Sequence, residues 1–393
     1  MRLALALLVA LRAAVALAAP LELVESYPVE TTLRDPELAQ AVDVWPAMIA
    51  SARRSLDFGE FYATSRPGSR LEPVLAAIQA AAARGVRVRF LADAGFAAKE
   101  PETLARLRAM PGVTVRPIDW AHAMGGGVYH AKYFLVDGRE AYLGSQNFDW
   151  RSLTHIEELG VRIRIHEVVD ALGEIFAADW ARAGGKPVPA FVPVHFPVEA
   201  TTGKGPLRVT FEAEPEAALS DRSLFGLPKL VALIDSAKAS VRVQLLTYQA
   251  SHDQVRFDDL EAALERAAAR GAHVQLLVSD WCKRPDVLEG LRRLARVPGL
   301  EVRFLDIPEA KAGFIPYARV AHAKYLVVDG RRAWVGTSNW ERDYFYLSRN
   351  VGVLVDGASF AGPLDRFFER GWTSSYAEQL DPARAYAAPR ISR

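Results

Sequence analysis

Apolar and polar positions follow the same succession twice along the chain. Over residues 71–84 apolar side chains recur at helical spacing among alanines, and Gly85 ends the run; residues 86–92 then form an apolar stretch of strand length. Residues 260–270 and 272–278 repeat that helix and that strand. Each copy predicts the order helix, strand, helix, strand, strand, hairpin, helix. Such alternation argues for an α/β fold in which helices pack on a mostly parallel sheet.

The succession is an internal repeat. Ile49-Ala50-Ser51-Ala52 returns as Ile234-Asp235-Ser236-Ala237, and Pro111-Gly112-Val113 returns as Pro298-Gly299-Leu300. His130, Gly144, Asn147 and Trp180 each have an identical residue 192 positions later, at His322, Gly336, Asn339 and Trp372. The offset at Ile49 is 185, so the second copy carries about seven extra residues, expected in loops. Between the copies, Pro187, Pro189, Pro193, Pro197 and Pro206 mark a linker. The expected organisation is a first repeat over 20–185, a linker over 186–206 and a second repeat over 207–393.

Composition narrows the setting. The 393 residues carry a net charge of +1 and no block of like charge, so any anion site must be local. Met1-Arg2, an apolar run to Leu11 and Ala16-Leu17-Ala18 have the layout of a secretory signal over residues 1–19. The expectation is an exported protein, periplasmic or secreted, with an uncleaved N-terminal anchor as the alternative. Cys282 is the single cysteine, which rules out an intramolecular disulfide and a cysteine metal cluster. Its neighbours offer no base, so it reads as a packing residue.

The chemistry gathers in the paired hairpins. His130-Ala131-Lys132 opens a run of strand formers ending at Asp137-Gly138, a hairpin turn signal, and His322-Ala323-Lys324 leads likewise to Asp329-Gly330. Residues two apart share a strand face, so each histidine points the same way as its lysine. Asp137 and Asp329 fall at the turns and read as organisers of the hairpins. One imidazole can attack phosphorus while the other protonates the departing oxygen, and two ammonium groups can neutralise the non-bridging oxygens. Asn147 and Asn339 add amide donors; Ser145 and Thr337 add hydroxyls that serve equally well as turn caps. A single His-x-Lys means little, but the full pattern repeated in register means a site. No set of residues stands at metal-ligand spacing, so neither a metal nor a cofactor is expected.

These residues resemble the phospholipase D superfamily, whose signature is this duplicated pattern, over nearly all of the chain after the signal. Gly144-Ser145-Gln146-Asn147-Phe148-Asp149-Trp150-Arg151-Ser152-Leu153-Thr154 and Glu158-Leu159-Gly160 look most like the endolysosomal phospholipase-D-like exonucleases of animals. The resemblance implies a pseudo-twofold pair of repeats, each a mixed, mostly parallel sheet with flanking helices, with both histidines at one interface. It also implies a covalent phosphohistidine and no metal ion. The copies differ 28 residues past each histidine, where Glu158 is matched by Asn350. In the superfamily this position orients a histidine, often that of the opposite half. Glu158 would then support His322 as the acid at rest, and Asn350 would support His130 as the neutral nucleophile.

Three functions fit: exonucleolytic hydrolysis of single-stranded nucleic acid, cleavage or exchange of phospholipid headgroups, and phosphate binding without turnover. The intact duplicate motifs argue against the last. The partner expected is a phosphodiester substrate, with no obligate protein partner. Trp120, Tyr129, Trp150, Trp281, Trp340, Tyr344 and Tyr346 are candidates for stacking on bases. Gly125-Gly126-Gly127 reads either as a backbone approach to phosphate or as a flexible loop at the site entrance. The remaining histidines have no partner in the repeat and read as ordinary residues.

Overall fold

The computed structural model describes residues 19–252 and 255–392; most of the apolar leader expected over 1–19 lies outside them. No helix among the described residues is long and apolar enough to cross a membrane.

Each half is built on one sheet. In the first, Ser55–Glu60, Arg87–Asp93 and Val113–Ile118 run parallel. The hairpin Lys132–Val136 and Glu140–Gly144 adds to this trio antiparallel, followed by Glu158–Ile163 and Leu21–Ser26. The second sheet repeats the plan, with the parallel trio Ser240–Leu245, His273–Ser279 and Leu300–Leu305 beside the hairpin Tyr325–Val328 and Arg332–Gly336, then Asn350–Asp356. The sheets are mixed as expected. Parallel pairing is nearly confined to the trios, because only there does a helix cross over between neighbouring strands. One such helix, Pro101–Arg108, precedes Val113–Ile118 and was missing from the expected order.

Of the proline-rich stretch between the repeats, 186–197 has neither helix nor strand. Val198–Thr202 already belongs to the second sheet, paired with Gly205–Glu214.

The sheets are covered on both faces, which explains why the hairpin strands are apolar at most positions. Phe134 and Val136 point into the outer core of the first half, whereas Tyr133 and Leu135 point into a core shared between the halves. The shared core also takes side chains from His166–Ala183 and Ala358–Trp372, the closing helices of the two repeats.

Both turn aspartates are organisers, as their position suggested. Asp137 and Gly138 have φ of 56° and 64°, which an Asp-Gly pair tolerates. The Asp137 carboxylate accepts the backbone N–H groups of Arg53, Arg54 and Ser55 at 2.9, 2.7 and 2.9 Å. Asp329 does the same for Lys238, Ala239 and Ser240. These bonds tie each hairpin tip to the start of the neighbouring strand and hold both carboxyl groups below their ordinary pKa. Each aspartate is about 20 Å along the strand from its histidine, so it orders the scaffold and does not touch the chemistry.

Asp137→Ala should destabilise the fold by about 2 kcal/mol at neutral pH, through three donors left without their charged acceptor. The folded pKa is depressed, so this contribution is present above the unfolded value near ~3.9 and is lost as pH falls through the folded value. Denaturant titrations at neutral and strongly acidic pH should give a large and a small difference from wild type.

Candidate functional site

The strands Glu158–Ile163 and Asn350–Asp356 each begin where the other half's histidine lies. Just before Glu158, the backbone carbonyl of Glu157 accepts the N–H groups of His322 and Ala323 at 2.8 and 3.2 Å. Just before Asn350, the Arg349 N–H donates to Val128 O at 3.0 Å. The halves thus exchange strand ends, and the side chains follow. His322 Nδ1 lies 2.7 Å from Glu158 Oε2, and His130 Nδ1 lies 2.9 Å from Asn350 Oδ1. The crossing expected from the resemblance is present in both directions.

The hydrogen-bond network fixes which tautomer a neutral His130 takes. Asn350 Nδ2 donates to Tyr344 O at 2.8 Å, and Thr337 Oγ1 donates to Asn350 Oδ1 at 2.8 Å. The amide oxygen therefore faces His130 as an acceptor. Nδ1 carries the hydrogen, and in the neutral ring the lone pair lies on Nε2. Around Glu158, Ser152 Oγ donates to Oε1 at 2.9 Å, while Ser145 Oγ accepts the Leu159 N–H at 3.0 Å. Thr337 takes the Val351 N–H at 3.1 Å in the same way, so both hydroxyl residues brace the strand that carries the supporting side chain.

Lys132 Nζ and Lys324 Nζ donate to the carbonyls of His130 and His322 at 2.6 and 2.5 Å. Both lysines are buried. Burial, helped by repulsion from Lys324, pushes Lys132 well below its ordinary pKa, and burial lowers Lys324 to about 7 against the pull of Glu158. Burial and the two ammonium groups push both histidines down as well. Glu158 rises to about 7, burial outweighing the pull of Lys324. Glu158 thus stands where it can support a charge on His322, while burial and the two lysines act against that charge.

His130, His322 and Asn147 line a cavity of about 430 Å³, closed by Phe61, Tyr62, Phe96, Arg151, Trp281, Tyr317 and Tyr344. Asn147 Oδ1 and Asn339 Nδ2 have no hydrogen-bond partner. Of the aromatic candidates, Trp281 and Tyr344 line the cavity; Trp120, Tyr129 and Trp340 are buried in the cores, Trp150 lies under Arg66, and Tyr346 packs on the surface near Phe257. Phe61 and Tyr344 flank the His130 ring at 4.9 and 4.8 Å. Phe61, Tyr62 and Phe96 were missed, although they follow the carboxyl ends of two parallel strands, where open α/β sheets hold ligands. None of the three glycines lines this cavity. A Cβ at Gly127 would stand 2.7 Å from Leu347 O, so the loop is a close contact between halves.

Behind Asn350, Arg349 clamps the halves together. It is fully buried, bonded to both Asp179 oxygens at 2.9 Å, with Nη1 on Glu214 O at 2.6 Å. Asp179 belongs to the closing helix of the first repeat.

Two α/β halves sharing one site of paired histidines and lysines define a phosphodiesterase of the phospholipase D type. Comparison with known proteins agrees: the family "Cardiolipin synthase, PLD-like domain" matches residues 46–180 and 230–372, and the chain belongs to this phospholipase D-like family. It is 32% identical over 402 residues to the 5'-3' exonuclease PLD3 of Rattus norvegicus, covering 91% of this chain and 80% of that protein. It is 29% identical over 361 residues to Phospholipase D Z of Dictyostelium discoideum, covering 85% of each. The phosphatidylserine synthase structure of Haemophilus influenzae Rd KW20 superposes with a TM-score of 0.60 at 12% identity, over 86% of this chain and 85% of that one, a likeness of fold.

Asn350→Asp should raise the His130 pKa, because the new carboxylate favours the charged ring, and should leave His322 much less affected. Imidazole NMR titration of histidine-labelled protein would measure both.

Proposed function

We propose that this phosphodiesterase works in two steps through a phosphohistidine on His130. His130 Nε2 attacks phosphorus, the ester P–O bond breaks, and the departing oxygen takes a proton from His322 Nε2. Water then attacks phosphorus and gives a proton to His322, and the P–N bond breaks to restore His130. Lys132 and Lys324 supply positive charge against the phosphoryl oxygens, the work a metal ion does elsewhere. The observation that carries this reading is the crossed support: an acceptor amide on His130 and a carboxylate on His322. The amide leaves His130 neutral, and the carboxylate lets His322 take the proton once substrate charge offsets the lysines.

The favoured substrate is single-stranded nucleic acid, cut from an end. Supporting it are the name of the Rattus norvegicus relative and a cavity with several aromatic side chains beside the histidines. Phospholipid is the second reading, favoured by the Dictyostelium discoideum relative and by the apolar flank of Ile156, Leu246 and Val320. Assays in excess chelator on labelled single-stranded DNA, RNA and phosphatidylcholine should give turnover on the nucleic acids. Turnover on the lipid alone would reverse the assignment, and activity restored only by added metal would remove the phosphohistidine.

His130→Ala and His322→Ala should each lose nearly all turnover; retention of more than about a tenth of the rate, a barrier change under ~1.4 kcal/mol, would contradict a shared site. Glu158→Gln should move the basic limb of the pH–rate profile downward, since the protonated acid loses its negative partner, with little change in the acidic limb. A labelled phosphodiester with a good leaving group should leave its phosphoryl group on His130 in a His322 variant.

A further inference from the structure

The halves match at the histidines, the lysines and the turns, and they part at a buried position beside one lysine. Glu60 closes the strand Ser55–Glu60 and stands opposite Lys132 in the antiparallel register, which sets the two Cβ atoms about 5 Å apart on one face. At the equivalent position 185 residues later is Leu245, the last residue of Ser240–Leu245. Glu60 is 2% exposed, and its Oε2 has no hydrogen-bond partner. Burial pushes its carboxyl well above the ordinary range, opposed by Lys132.

A carboxyl group in this place is costly twice. It gives up water, and when ionised it stands as a second negative charge beside an ammonium that must hold an anion. The scaffold does not require it, since the matching position of the other half is filled by leucine. The cost is avoided if Glu60 changes protonation with the state of the site. In the free enzyme Lys132 is faced by Lys324, which repels it, and by Glu158 and Glu60, which favour its charge. Once a phosphodiester becomes the counter-ion of that ammonium, an ionised Glu60 would repel it, and a neutral one would not.

We propose that Glu60 is a positioning residue that couples anion binding over Lys132 to the uptake of one proton. With the site free, Glu60 shares the charge of Lys132; with a phosphodiester bound, the carboxyl is neutral and the ammonium serves the phosphoryl group. The role rests on the phosphodiester site described above. It makes anion affinity fall as pH rises through the free-enzyme pKa of Glu60, above the ordinary carboxylate range.

The test uses sulfate, whose charge is constant between about pH 5 and 9, a range in which carboxylates of raised pKa titrate. Calorimetric binding to the full chain in buffers of different ionisation enthalpy counts protons taken up. His130, His322, Lys324 and Glu158 contribute their own uptake in every variant. Glu60→Gln should bind sulfate within about threefold of wild type at the acidic end and take up fewer protons, with a shallower fall of affinity as pH rises. Glu60→Leu copies the side chain of the other half and decides the matter if the glutamine variant does not fold. Proton counts and pH slopes equal to wild type in the folded variants would overturn the proposal, and so would loss of sulfate binding at every pH. Sulfate binding involves no turnover, so failure here leaves the phosphohistidine reading standing, and absence of phosphodiesterase activity leaves this measurement intact.

Discussion

Neither histidine is oriented by its own half. Each takes its partner from the strand that opens the closing segment of the opposite repeat, so the site exists only while the two sheets hold a fixed relative position. Much of the rest can be understood as serving that constraint. The backbone bonds from Glu157 to His322 and Ala323, and from Arg349 to Val128, stitch the exchanged strand ends. The buried Arg349–Asp179 pair locks the strand carrying Asn350 onto the closing helix of the first repeat. Removing one member of such a pair leaves an uncompensated buried charge, a cost of about 3–5 kcal/mol. The shared core supplies the non-directional part of the same requirement.

The site is also a reservoir of electrostatic discomfort. Two ammonium groups and two imidazoles are buried close enough to depress one another's basicity, with Glu158 as the carboxylate bonded directly to one of them. In a medium of low dielectric, such crowding is relieved by the loss of protons or by the arrival of an anion. Groups arranged in this way interact best with a phosphorus centre gathering negative charge, which is the condition for lowering a barrier rather than for binding tightly.

The repeat, the paired hairpins and the turn role of Asp137 and Asp329 were legible because they are periodic or local; the strand face expected to carry His130 with Lys132 was not, since the strand begins at Lys132, after the histidine. The crossing of Glu158 and Asn350 was legible only through the resemblance, since no local pattern says which histidine a residue 28 positions away will meet. Arg349 was overlooked because its partner is 170 residues distant and an isolated arginine carries no signal. The aromatic lining was hard to sort because core and cavity aromatics have the same composition; only their place after the parallel strands distinguished Phe61 and Phe96. The share of antiparallel pairing was underestimated because a helix–strand alternation marks the trios and is silent about what is added beside the hairpin. The proline-rich stretch misled for a related reason: edge strands such as Val198–Thr202 carry little hydrophobic pattern.

The exchange of strand ends bears on how such a chain comes to need two unlike copies. A symmetric pairing of two first repeats would place a glutamate on both histidines, and a pairing of two second repeats would place an asparagine on both. Either assembly would have two equivalent rings, with no structural difference to decide which attacks and which protonates. Fusion into one polypeptide removes that equivalence, because each copy can diverge at the residue it lends to the other. In the proposed reaction the division of labour between the rings would lie at positions 158 and 350, in the lender and not in the borrower, so that a duplicated ancestor could have specialised its chemistry without altering either His-x-Lys motif.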